Sequence, residues 1–140
     1  MGGNGRRALT ELPPKDDENS IARPAVPNEV DDEEVLHRRI HPTHVKPDGS
    51  VSSQAFRDIE MSVDRAAYRT TAETLQGYAG YGISAFLAVF ARQQQQIVRS
   101  APELLNPAHA LVEGHKTKSI ARSFARTVTW VVGLPENSAG

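Results

Sequence analysis

One histidine, His109, lies in an otherwise small and apolar run, residues 106–112 (NPAHALV). An imidazole in such surroundings can act as a general base or bind an anion, because its proton is exchanged near neutral pH. A histidine at the start of a strand more commonly bonds its ring nitrogens to the backbone. The sequence therefore makes His109 the candidate catalytic acid or base, with a structural role as the simpler interpretation.

A candidate anion site follows His109 directly. Gly114 precedes Lys116, Thr117 and Lys118, and the last two open a predicted helix. Free backbone amides and the helix dipole favour an anion at such a position. The spacing is not that of a P-loop, because the first glycine is missing and His115 separates Gly114 from Lys116. The pattern allows a phosphate contact, although a solvated helix start explains it equally well.

Other basic residues are spread along the chain. Arg38 and Arg39 lie in the first predicted strand, and Arg122 and Arg126 are one turn apart on the last predicted helix. If many of these side chains converged on one face, they would bind an anionic partner with salt-dependent affinity. The predicted anion- or partner-binding residues are Arg38, Arg39, Lys116, Thr117, Lys118, Arg122 and Arg126.

Several other chemistries are not expected. His37, His41 and His44 have helical spacing, but Pro42 interrupts the helix that a three-histidine metal site would need. The absence of cysteine excludes disulfides and thiol catalysis. Ser52 and Ser53 lack the context of a nucleophile elbow, so a serine nucleophile is not predicted there. No metal or cofactor is expected.

The glycine-rich segment GYAGYG, residues 77–82, is not a dinucleotide-binding loop. Its glycine spacing differs from that of the dinucleotide fingerprint, and it follows a predicted helix instead of opening one. We interpret it as a connector.

Length and charge limit the function classes. A chain of 140 residues with 16 basic and 17 acidic side chains has room for one domain and lacks the strong positive charge of a dedicated nucleic-acid binder. No apolar stretch approaches the roughly 18 residues of a membrane span, and the N-terminus does not look like a signal peptide. A cytoplasmic location without membrane contact is therefore expected.

The chain divides into two unlike segments. Residues 1–36 carry nine acids and four bases and no aromatic side chain, whereas all eight aromatic residues follow. Such a proline-rich, acidic stretch cannot bury enough apolar area to offset its ordering entropy. We predict a disordered tail over 1–33, a domain over 34–132 and a loose end over 133–140. The acidic run 31–34 either solubilises the protein or covers basic residues such as Arg38 and Arg39.

The patterns predict an α+β fold with a small mixed or antiparallel sheet and about two helices. The predicted strands are 35–40, 55–63 and 108–112, and the predicted helices are 71–79 and one from about 117 to 131. The apolar run 83–90 is favoured as a strand that forms a hairpin with 96–100. The alternative is one long helix over 83–99.

Four blocks resemble, in their order, a group of small bacterial proteins. They are HRRIHPTHV (37–45), SSQAFRD (52–58), MSVDRA (61–66) and NPAHALVEGHKTKSIARSFARTVTWV (106–131). The resemblance covers residues 35–132 and implies no particular activity. An arginine-bearing first strand followed by a serine-containing block is also similar to ADP-ribosyl-handling toxins, which would imply nucleotide chemistry. The acidic catalytic residue of those toxins has no counterpart here.

The sequence favours a small intracellular binding or accessory module whose cationic surface engages a protein or nucleic-acid partner, with a protein favoured. The alternative is a small nucleotide- or RNA-directed enzyme. It would use His109 as acid or base, with Arg39, Lys116 and Lys118 as anion contacts.

Overall fold

The computed structural model describes residues 25–135 of the chain. Their strands are β1 Val35–Ile40, β2 Glu60–Arg65, β3 Gly82–Leu87, β4 Ile97–Ser100, β5 His109–Glu113 and β6 Thr129–Val132. Their α-helices are α1 Thr71–Thr74, α2 Ala88–Gln93 and α3 Lys118–Thr127. The strands form one antiparallel sheet in the order β4-β5-β2-β1-β3-β6. The predicted α+β class with a small antiparallel sheet is confirmed.

The two faces of the sheet differ because side chains alternate along each strand. Leu36, Met61 and Val112 are fully buried on one face, where they pack with Phe124 of α3 and Phe56 of the 3₁₀ turn Ser53–Phe56. We call this the helix-covered face. The opposite side, which we call the polar face, carries the alternate residues of these strands, among them His37, Arg39, Asp64 and His109. Each strand thus carries core residues and candidate site residues at alternating positions.

On the polar face, register brings three strands together at one row. His37 of β1 is paired with Asp64 of β2, and Asp64 is paired with His109 of β5. Ser62 lies next to this row, two residues before Asp64 on the same face. α1 lies over part of this face, since Thr74 contacts Asp64. The sheet therefore gathers residues that are far apart in sequence.

Several predicted elements differ from those observed. The predicted strand 55–63 begins as a 3₁₀ turn, and β2 starts only at Glu60. The predicted helix 71–79 is shortened to the single turn α1, although Thr70 and Glu73 form a capping box, because Gly77 and Gly80 take positive φ angles close behind it. The last helix ends at Thr127 and not near residue 131, because the β-branched stretch after it forms β6.

Neither prediction for residues 83–99 is correct as a whole. β3 is followed by α2, and β3 pairs with β1 and β6 and not with β4. The first amides of α2, those of Ala88 and Val89, donate to the carbonyls of Glu34 and Asp32. The helix start is thus satisfied in part by Asp32, which the sequence assigned to the tail.

The tail boundary predicted at residue 33 needs correction. Residues 25–33 lie against the domain, and Val30 is part of the core. Arg65 is completely buried and needs acceptors, which are the Glu34 carboxylate and the carbonyls of Pro27 and Glu29. The rest of the predicted tail and most of the predicted loose end lie outside the described residues.

The acidic run does not cover the basic residues that the sequence suggested. Glu34 pairs with Arg65 at 2.7 Å, and Asp32 pairs with Arg92 at 2.7 Å. Residues 25–36 carry five acids and no base, whereas residues 1–24 carry four acids and four bases. The ion pairs of the acidic run are therefore made with Arg65 and Arg92, and not with Arg38 or Arg39.

Within residues 25–135, no helix has the length and apolar character needed to cross a membrane.

Candidate functional site

A groove lies between residues 46–53 and the end of α3. Its volume of about 830 Å³ is within the range typical of ligand sites. Three cationic side chains and one indole ring are among its lining residues. The lining residues are Lys46, Asp48, Gly49, Ser50, Val51, Ser53, Arg122, Ala125, Arg126, Val128 and Trp130. We call this the cationic groove.

One wall of the cationic groove is a tight loop, residues 46–50. The Lys46 amide donates to the Ser50 carbonyl, and the Gly49 amide donates to the Lys46 carbonyl, each at 2.8 Å. Gly49 has a φ of +88°, a conformation that glycine adopts at little cost. The Ser50 hydroxyl and amide both donate to Asp48, which holds the pKa of that carboxyl below its ordinary value. The wall is thus ordered by its own hydrogen bonds.

The other wall is α3, which separates its apolar and basic sides. Ala121 and Phe124 are fully buried, whereas Arg122 and Arg126 are exposed. Lys118 lies one turn before Arg122 on the same helix face. The helix therefore fixes a row of three cations, two of which line the groove.

Trp130 joins the two walls. Its indole Nε1 donates to the Gly49 carbonyl at 3.2 Å, and the side chain remains 37% exposed. A Cβ atom on Gly82 would lie 2.8 Å from the Trp130 ring and 2.7 Å from the Val132 carbonyl. Gly82 therefore allows β6 and its tryptophan to approach β3 closely.

The predicted phosphate contact at Lys116 is corrected by the structure. Lys116 is 3% exposed, and its Nζ donates to the carbonyls of Ile59, Val112 and Gly114 at 3.2, 2.9 and 3.1 Å. Burial lowers the pKa of Lys116 to about 8. The Thr117 hydroxyl accepts a hydrogen bond from the Ile120 amide as the N-cap of α3. These two residues hold the structure together at the helix start.

The low pKa of Lys116 makes stability depend on alkaline pH. Between pH 8 and 10.5 the unfolded chain keeps the lysine proton, while the folded protein releases it. The free energy of unfolding of the wild type should therefore rise with pH, by about 3 kcal/mol relative to Lys116→Met over this interval. Urea unfolding at several pH values measures this difference. Lys118→Met, at an exposed site, should give a curve parallel to the wild type; a parallel curve for Lys116→Met would contradict the assignment.

Arg38 is also occupied by structural contacts. Its guanidinium donates to the carbonyls of Ala55 and Ser62, and to Asp58 at 3.2 Å. It joins β1, β2 and the 3₁₀ turn, and is not available as a free cation. The seven predicted binding residues therefore do not form one surface. Only Lys118, Arg122 and Arg126 share a side of the molecule.

Arg39 lies on the polar face, where it is a quarter exposed. Its guanidinium carbon is 3.8 Å from the centre of the Tyr78 ring, and Nη1 donates to the Thr74 carbonyl at 3.0 Å. The ring and the carbonyl hold the cation in place above the sheet. Arg39 is thus a positioned cation, on the opposite sheet face from the core that α3 covers.

Asp64 is the centre of a buried polar cluster beneath Arg39. Its carboxylate accepts hydrogen bonds from Thr74 Oγ1 at 2.7 Å and from Asn106 Nδ2 at 2.8 Å. Arg69 Nε lies 3.3 Å from the same carboxylate, and Arg39 Nη1 lies 3.9 Å away. The burial of this charge is therefore offset by hydrogen bonds and two cations.

Two histidines flank Asp64. Burial lowers the pKa of His37 from its ordinary value, and the Asp64 carboxylate opposes this change. Nδ1 of His109 lies 2.8 Å from the Ala101 carbonyl, and its Nε2 lies 3.1 Å from Ser62 Oγ. The predicted backbone contact of His109 is present, together with a hydroxyl partner, Ser62, a pairing that the sequence pattern does not indicate.

Three site residues were missed from the sequence for different reasons. Ser62 could have been found, because the period of two in β2 places it opposite Met61 and Val63. Lys46 and Trp130 come together only through the packing of α3 and β6 on the turn. Among residues 25–135, no group of three histidine, aspartate or glutamate side chains is placed to hold a metal ion.

None of the protein-family models, curated proteins and solved structures with which the chain was compared matches it. We therefore infer the function from the geometry of the residues.

Proposed function

We propose that the protein is a binding module that holds single-stranded nucleic acid in the cationic groove. The observation that supports this is the combination, on the walls of one groove, of Lys46, Arg122 and Arg126 with the exposed part of the Trp130 ring. Proteins that bind single strands combine cations for the phosphates with aromatic rings on which bases stack.

The groove chemistry favours a strand of nucleotides over a simple anion. Asp48 lines the groove as well, and its lowered pKa keeps a negative charge beside the cations. A carboxylate weakens the binding of a free anion but accepts hydrogen bonds from the amino groups of bases. An acidic protein segment could bind the same cations without contacting the Trp130 ring. An experiment must therefore distinguish an acidic protein segment from a nucleic-acid strand.

Charge reversal in the groove should weaken binding strongly. We expect Arg122→Glu and Arg126→Glu each to lower affinity for a short oligodeoxycytidine by about tenfold, because each removes a phosphate contact and introduces repulsion. Three cations predict a slope of roughly −2 for log K against log salt concentration, and the double variant should have a clearly shallower slope. Trp130 is the only tryptophan, so quenching of intrinsic fluorescence reports binding at the groove directly.

Arg57→Glu is the matched control, since Arg57 is exposed and does not line the groove. Its affinity should stay within about twofold of the wild type, apart from the small long-range effect of charge. If Arg126→Glu behaved like Arg57→Glu, the groove would not be the binding site. If a poly-glutamate peptide bound more tightly than the oligonucleotide and needed the same arginines, the partner would be an acidic protein.

A further inference from the structure

The polar face holds a serine and a histidine in the arrangement of a nucleophile and its base. Ser62 Oγ and His109 Nε2 are 3.1 Å apart, within the distance required for proton transfer. The two residues lie on neighbouring strands, β2 and β5, so the sheet fixes their separation. His109 is almost completely buried, while Ser62 is half-buried and can be reached from solvent.

The backbone determines which ring nitrogen of His109 carries the proton. Nδ1 lies 2.8 Å from the Ala101 carbonyl, which can only accept a hydrogen bond. In the neutral ring Nδ1 is therefore the donor, and the lone pair of Nε2 accepts the hydroxyl proton of Ser62. Glu103 Oε2, 3.8 Å from Nδ1, would stabilise the ring when it becomes positively charged. The carbonyl has the orienting role that a third residue has in catalytic triads.

A small cavity of about 20 Å³ lies beside Ser62, between β1 and β2. The two strands are paired at His37 and Asp64, and further along, the Arg38 guanidinium bonds to the Ser62 carbonyl at 2.9 Å. His37 and Arg39 also line this cavity. The buried Nδ1 of His37 has no hydrogen-bond partner among the described residues. A space of this size holds about one water molecule, so an ester would lie on the exposed side of Ser62, with the Arg39 cation beside it.

We propose that Ser62 is a nucleophile, activated by His109, that cleaves a small ester carrying an anionic group. Ser62 Oγ forms a bond to the ester carbonyl carbon while its proton passes to His109 Nε2. The bond from that carbon to the alcohol oxygen then breaks, and the alcohol leaves with the proton from Nε2. Water attacks the acyl-serine with the same nitrogen as base, releasing the carboxylic acid and restoring the hydroxyl. The Arg39 cation binds the anionic group of the ester.

Labelling with a fluorophosphonate tests the nucleophile without knowledge of the natural substrate. The reagent should form one adduct on the full chain, with fluoride as leaving group, and peptide mass spectrometry should place it on Ser62. Ser62→Ala should abolish the adduct, and Ser119→Ala, at an exposed serine outside the polar face, should leave it unchanged. Absence of an adduct on wild-type Ser62, or an adduct confined to other serines, would overturn the proposal.

His109→Asn separates the base from the structural contact. The asparagine amide nitrogen can still donate to the Ala101 carbonyl, but nothing replaces Nε2. We expect at least a tenfold loss of labelling rate, with unchanged thermal unfolding; retained labelling in a folded variant would overturn the role of His109.

The anionic specificity is tested with p-nitrophenyl succinate and p-nitrophenyl acetate. Ser62-dependent hydrolysis should favour the succinate ester, and Arg39→Gln should bring the ratio of the two hydrolysis rates close to one. Equal rates for both esters in the wild type would overturn the role of Arg39. Arg122→Glu should not change labelling, so this proposal and the groove proposal fail independently.

Discussion

Replacing Arg65 with methionine is expected to lower the free energy of unfolding by about 3–5 kcal/mol, the cost of breaking a buried ion pair. The Arg65 side chain is 0% exposed, and its Nε and Nη2 donate to both oxygens of Glu34 at 2.8 and 2.7 Å. The carbonyls of Pro27 and Glu29 would also lose their donor. Because typical domains are stable by only about 5–15 kcal/mol, this loss is a large part of the total.

Arg99→Met is the control for the Arg65 variant. Arg99 also makes two hydrogen bonds to a carboxylate, that of Glu113, at 2.8 and 3.0 Å, but its side chain is half exposed. Exposed ion pairs contribute about 0–1 kcal/mol, so urea unfolding should show little change. Equal losses for the two variants would show that burial of Arg65 is not what matters. Hydrogen exchange should show that residues 25–34 lose protection first in Arg65→Met.

Phe124→Ala should cost about 3–5 kcal/mol, because it removes the ring at the centre of the core. Phe124 is fully buried, and its ring centre lies 5.6 Å from that of Phe56, 5.1 Å from Phe86 and 5.0 Å from Phe90. The variant therefore loses buried area and three aromatic pairs together. α3 should show the largest gain in hydrogen exchange.

Phe124→Ala should also affect binding, because Phe124 lies on the same helix, α3, as Arg122 and Arg126. Arg122 and Arg126 are held by the packing of Phe124, so Phe124→Ala should also weaken oligonucleotide binding near the unfolding midpoint. Leu104→Ala is the control, since Leu104 is 96% exposed and the same kind of truncation should cost less than about 0.5 kcal/mol. A comparable loss for Leu104→Ala would contradict this account of the core.

Local patterns predicted the features that local interactions determine. The strand β1 and the start of helix α1 at Thr71 were predicted because each depends on neighbouring residues. The N-cap at Thr117 belongs to the same class. In the candidate site, the position of Arg122 and Arg126 one turn apart on one helix was also predicted from local spacing.

The features that were missed depend on distant partners. Residues 25–34 lack aromatic side chains and look disordered, yet they are held by Arg65 and Arg92, which follow much later in the chain. Lys116 looked like an exposed phosphate contact because composition does not show the carbonyls of Ile59 and Val112 around it. Such contacts arise only when the sheet has formed.

The docking of residues 25–34 also determines the order in which this domain can be completed. Their partners Arg65 and Arg92 belong to β2 and α2, so a chain growing from its N-terminus has no site for this segment until α2 has been synthesised. Closing such a long loop carries an entropic cost that local elements do not have. The first described residues to leave the ribosome therefore reach their full set of native contacts only after Arg92 has been synthesised.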